Sequence, residues 1–133
     1  MNETLKISKT VIHERLDGEV VILDMATGRY FSLSGPAADL WYLISNAVPI
    51  SRWEIHLAEV YPNTSRFTGL NYFVEEVAKH GLAEKTESQH SDANPVFPLD
   101  YKRGNWVPPE IFSYDDLTDL LLIDPVHDAG ENY

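Results

Sequence analysis

Three short runs of strand-forming residues, 11–15, 19–23 and 29–33, are separated by Asp17-Gly18 and by Ala26-Thr27-Gly28. Asp-Gly accepts the positive φ angles of a tight hairpin turn, so the first two runs are expected to pair. The second gap turns the chain again, which predicts a three-stranded antiparallel meander. The unbroken Val20-Val21-Ile22-Leu23 suits the central strand. The first and third strands are then edges, and an uncovered edge is a template for another extended chain.

Helix signals follow at once. Ser34 can cap, Pro36 suits a first turn, and Ala37, Leu40, Trp41 and Ile44 repeat at helical spacing until residues 46–49 end the pattern. Ser51 with Glu54 three residues on is a capping-box pattern, and Trp53, Leu57, Val60 and Tyr61 give one apolar face before Pro62. A third helix is expected from about Ser65 or Arg66 to His80, with Phe67, Leu70, Val74 and Val77 on one stripe, Phe73 beside it and Gly81 as the stop. Leu82-Ala83 is expected to tuck back onto the core. The resulting α+β unit, a three-stranded antiparallel sheet followed by three helices, is winged-helix-like. In it Trp41 and Trp53 are read as packing before recognition.

The length of 133 residues suits one core. Charge divides it unevenly: residues 1–84 hold 11 acidic and 7 basic groups, residues 85–133 hold 10 and 3. Between Lys85 and Asn105 the chain is polar and broken by Pro95, Pro98 and Gly104, as linkers are. The expected organisation is therefore a domain over 1–84, a linker over 85–105 and an extended acidic tail over 106–133.

Composition excludes much chemistry. With no cysteine, disulfides, thiolate nucleophiles and cysteine zinc sites are impossible. His13, His56, His80, His90 and His127 are not paired at i, i+4, so no metal is expected and each is read as a solvated surface residue. No nucleophile elbow or phosphate-binding glycine loop occurs, and neither enzymatic activity nor a cofactor is expected. Asp115, Asp116, Asp119, Asp124 and Asp128 lack the glycine and closing glutamate of a calcium loop and read as a solvated face. The longest apolar run, residues 40–44, is far short of a membrane span, and the first ten residues lack a secretory apolar stretch. A cytoplasmic protein with no membrane partner is the expectation. A winged-helix unit raises DNA binding, but the net charge of −11, with Glu75 and Glu76 against Arg66 and Lys79, opposes phosphate contact. No nucleic-acid partner is expected, and a DNA-binding regulator stands as the weaker alternative.

Over residues 10–84 the chain resembles the PqqD-like domains, or RiPP recognition elements. The likeness rests on Leu16-Asp17-Gly18-Glu19-Val20-Val21-Ile22-Leu23-Asp24, Thr27-Gly28-Arg29-Tyr30-Phe31-Ser32-Leu33 and Gly35-Pro36-Ala37-Ala38-Asp39-Leu40-Trp41, closed by Glu76-Val77 and Gly81-Leu82. Ser34 departs from the Asn often found there. The resemblance implies a non-catalytic adaptor that binds the leader peptide of a ribosomally synthesised, modified peptide, the lasso type being one candidate, and presents it to a modifying enzyme. The leader would add as a strand to the third strand, with Arg29, Tyr30, Phe31, Ser32 and Leu33 as its partners. Arg66, Leu70, Asn71, Phe73, Val74 and Val77 would wall the groove, and for the apolar ones core and groove readings both stay open.

The tail departs from the minimal members of that family, which end near residue 84. Trp106-Val107-Pro108-Pro109-Glu110-Ile111 resembles the Tyr-x-x-Pro-x-Leu of lasso-peptide leaders, although Asp115 stands where their later Gly falls. Trp106, Pro109, Ile111, Tyr114 and Leu117 are the candidate docking residues, with strand propensity over 111–114 and a short helix expected over 115–123. A coil of about 20 residues spans roughly 25 Å, so such a tail can reach its own groove. Docking in cis, docking on a second copy as a homodimer, and packing elsewhere or on a partner enzyme as a structural subunit all remain open at this level.

Overall fold

The computed structural model describes residues 3–87, 95–99 and 102–115. It is an α+β protein with three helices and two antiparallel sheets among these residues. The expected meander is present as β2 (Val11–Leu16), β3 (Glu19–Asp24) and β4 (Arg29–Ser34). Asp17 and Gly18 both adopt positive φ, 51° and 83°, as a two-residue hairpin requires. β3 is internal, burying Val20 and Ile22 toward the helices. At the next turn the Asp24 carboxylate accepts from Thr10 Oγ1 at 2.9 Å and from the Ala26 N–H at 3.0 Å.

α1 (Pro36–Ser45) follows Gly35, which bridges the strand and the helix at φ 58°. Ser34, expected to cap it, is instead the last residue of β4. Pro36, Ala37, Ala38, Asp39, Leu40, Trp41, Leu43 and Ile44 are all buried, so α1 is surrounded rather than laid on a surface. The second helix is preceded by a 3₁₀ turn, Ile50–Arg52, and α2 runs Trp53–Val60. The Trp53 indole N–H donates to Val48 O at 3.0 Å, which ties α2 to the end of α1.

α3 spans Leu70–Lys79, starting later than the expected Ser65 or Arg66, because Gly69 sits in the left-handed region at φ 87° and breaks the helical path. Its C-terminus is closed as expected: Gly81 turns at φ 73°, its N–H donates to Ala78 O, and Leu82 N–H donates to Val77 O, each at 3.0 Å. Phe73, Val74 and Val77 face the core.

Two strands lie where none was expected. β1 (Glu3–Ile7) pairs antiparallel with β5 (Ala83–Glu87), so the boundary placed near Lys85 falls inside a strand. Both segments are rich in charge and weak in strand propensity. Pairing is won through burial of Leu5, Leu82 and Ala83, and through Ser8 N–H donating to Leu82 O at 2.9 Å. The main sheet is four-stranded, not three-stranded, with order β2-β3-β4-β6, where β6 is Phe112–Tyr114 of the tail. Among the described residues β2 is the meander strand that remains an edge. His56 also departs from expectation: it is 2% exposed on α2, packed inside rather than solvated.

Candidate functional site

The outer edge of β4 carries an extended segment of the same chain. Tyr30 lies opposite Tyr114, Phe31 opposite Ser113 and Ser32 opposite Phe112, in antiparallel register. Directly opposed residues share a face of the sheet, so Ser113 lies on the helix-covered side with Phe31, and Phe112 and Tyr114 lie on the outer side with Ser32 and Tyr30. Outside the ladder the strand is lightly held. Arg29 Nη2 donates to Ser113 Oγ at 3.2 Å and lies 3.7 Å from the Asp115 carboxylate, both on exposed side chains. His80, the C-cap of α3, places its ring 5.2 Å from that of Phe31, so the end of α3 flanks β4.

Upstream of β6 the tail runs past the start of α3. The Trp106 indole sits edge-on between Tyr61 and Phe67, with ring centroids 5.3 and 5.0 Å away, and its N–H donates to Thr68 O at 3.1 Å. Pro109 is buried and Ile111 half-buried against the core. Gly69 matters here twice. Its φ of +87° lies in the left-handed region that other residues rarely adopt, and a Cβ added to it would stand 3.0 Å from Pro109 Cδ and 3.1 Å from Pro108 Cβ. Gly69→Ala is therefore expected to cost about 1–2 kcal/mol from backbone strain and to push the prolines outward. Its signature is a red-shifted Trp106 emission, read against a Trp106→Phe background, with the helical circular dichroism retained.

A second attachment lies just before Trp106. The Arg103 guanidinium grips the Asp39 carboxylate with two bonds, Nε to Oδ2 at 3.0 Å and Nη2 to Oδ1 at 2.8 Å. Tyr61 O–H donates to the same Oδ2 at 2.7 Å. Asp39 is fully buried and the Arg103 side chain is 7% exposed, so this is an ion pair taken out of water. Arg103 also lies over the Phe97 ring at 5.5 Å, and Phe97 packs on Tyr42, whose hydroxyl donates to Val96 O at 2.7 Å. Tyr61 joins both attachments, bonding Asp39 through its hydroxyl and meeting Trp106 through its ring. The stretch expected as linker thus contributes a core residue, Phe97, and a buried ion pair.

The residues expected to bind divide accordingly. Tyr30 and Ser32 are half-buried and Arg29 is exposed, whereas Phe31 and Leu33 are core, each 1% exposed. Phe73, Val74 and Val77 are also buried, at 1%, 4% and 0% exposure. Leu70 and Asn71 line a cavity of about 550 Å³ with Ile50, Glu54, Phe67 and Tyr72. Arg66 is exposed and precedes α3 rather than lying on it. Of the tail residues Trp106, Pro109, Ile111 and Tyr114 lie against the domain, and Leu117, with the helix expected beyond Asp115, falls outside the described residues.

Sequence reasoning missed Asp39, Tyr61, Phe67, Gly69, Phe97 and Arg103. Two of these carry a signal in hindsight: Asp39 is a lone acid inside an apolar helix, and Gly69 interrupts a helical stripe. Among the described residues no three His, Asp or Glu side chains converge as a metal site, and no helix is long and apolar enough to cross a membrane. His13 packs against the edge of Trp41 at 5.5 Å, and its partial burial lowers its pKa from 6.5. Comparison with family models, with curated proteins and with solved structures finds no match to this chain.

Proposed function

We propose that the chain is a non-catalytic adaptor of the PqqD-like kind, with a winged-helix-like core, that binds the leader of a ribosomally made peptide by strand addition on β4. It would present the rest of that peptide to a modifying enzyme. The observation that supports this reading is the β4–β6 ladder. The edge implied as a peptide site accepts an extended segment in antiparallel register, with three residue pairs. Backbone pairing supplies affinity without regard to sequence, and pockets beside the strand supply selectivity. The aromatic clasp of Tyr61 and Phe67 and the proline contact at Gly69 are such pockets. Lasso precursors are the first leaders to try, because residues 106–111 resemble their leader pattern.

The test is fluorescence anisotropy of labelled leader peptides encoded beside the gene, titrated with the full chain and with a chain ending at residue 104. That end point keeps β5, Phe97 and Arg103. Micromolar or tighter binding by either form supports the adaptor. Absence of binding by both sinks it, and duplex DNA binding that falls steeply with salt would put the regulator in its place.

A further inference from the structure

The tail is attached in two unequal ways, and the difference bears on how the β4 edge is used. The first attachment, Phe97 with Arg103 on Asp39, is buried and charge-assisted. The second, residues 106–115, has no charge-assisted buried bond among the described residues and is less deeply set: Pro109 is buried and Trp106 and Ile111 are half-buried, but Val107 is 54% exposed and Phe112 50% exposed. Ser113, which shares the helix-covered side with Phe31, is an exposed small polar residue. The Arg29–Asp115 pair lies between exposed side chains, where such pairs contribute little. Between the two attachments stand only Gly104 and Asn105, both exposed, and a Cβ on Gly104 would meet nothing within 4 Å. A short free joint therefore separates a buried, charged anchor from a segment whose strand, residues 112–114, is largely exposed.

We propose that residues 106–115 are an exchangeable intramolecular occupant of the β4 edge, held close by the Arg103–Asp39 anchor and displaced about Gly104-Asn105 when a better-fitting peptide arrives. This rests on reading that edge as a peptide site. Such a peptide places an apolar side chain where Ser113 leaves a small polar one. Because the tether is about two residues rather than 20, the effective concentration of the occupant is at least on the order of millimolar. A segment of roughly 10 μM intrinsic affinity then weakens a competitor at least ~100-fold. The device sets a threshold that excludes loosely matching peptides and keeps a bare sheet edge from pairing with other chains.

The probe is a labelled synthetic peptide of this chain's residues 105–115. It is titrated against the full chain and against full chain carrying Trp106→Ala and Ile111→Ser, which remove two half-buried side chains of the occupant and leave Arg103, Asp39 and the fully buried residues unsubstituted. The variant is expected to bind at least ~100-fold tighter than the parent. Equal binding by both overturns the occlusion and leaves the peptide site standing; binding by neither overturns the peptide site and the occlusion together. A second arm covers a variant that fails to fold. Ser32 and Phe112 are opposed across the ladder and the chain has no cysteine of its own, so Ser32→Cys with Phe112→Cys gives one intramolecular crosslink on oxidation. In the full chain carrying this pair, with Trp106→Ala and Ile111→Ser or without, the oxidised form should lose probe binding and reduction should restore it. Failure of the crosslink to form within one molecule, or unchanged probe binding once it has formed, refutes the proposal.

Discussion

Asp39→Ala is expected to lower stability by about 3–5 kcal/mol, the range found when one partner of a buried ion pair is removed. The cost comes from what is left behind. Arg103, at 7% side-chain exposure, would hold a charge with its two carboxylate bonds gone, and the Tyr61 hydroxyl would lose its acceptor. For a chain of this size the melting midpoint should fall by roughly 10–20 °C. The control is a paired replacement, Asp39→Leu with Arg103→Met, which removes both charges and keeps apolar volume. That double variant should recover most of the loss, since an apolar pair of similar shape replaces a buried ion pair at little cost. A thermal melt in which Asp39→Ala loses less than ~1 kcal/mol would show that Arg103 does not pack on the domain in solution. The anchoring of the tail would then lose its basis.

Phe31→Ala should cost about 3–5 kcal/mol, through lost burial and the cavity it leaves. Phe31 stands between Ile22 of β3 and Ser113 of β6, is 1% exposed, and meets the His80 ring. The resemblance to PqqD-like domains implies it as a peptide contact, for which Phe31→Pro would be a natural probe. Its burial makes either change a test of the core, and lost peptide binding would report unfolding. Tyr30 and Ser32, half-buried on the outer face, are the β4 positions at which a substitution can alter the edge and spare the core. Urea unfolding of Phe31→Ala decides the matter: a midpoint shift equivalent to less than ~1 kcal/mol would mean that Phe31 is not packed as described.

Much of the local structure was legible. The Asp17-Gly18 hairpin, the internal β3, the start of α1 at Pro36 and the Gly81 stop each depend on backbone preferences expressed within four or five residues. The candidate site was legible in part. The third strand of the meander was legible as an edge from the order of the turns, and residues 111–114 as a strand from their propensity. Which of Phe73, Val74 and Val77 face a groove could not be read from the stripe, because helical periodicity marks a buried face without saying what buries it.

The sequence by itself determined the order of the three meander strands and the three helices, the turns that join the meander, and the exclusion of cysteine chemistry. These follow from dihedral preference, apolar spacing and residue type, all of which are local. Tertiary structure alone decided that the charged segments Glu3–Ile7 and Ala83–Glu87 pair, that His56 is buried, that Asp39 receives Arg103 from 64 residues away, and that Phe112–Tyr114 completes the sheet. Each of these depends on a partner distant along the chain, and the closure entropy of so long a loop is offset by burial and hydrogen bonding that no local window contains.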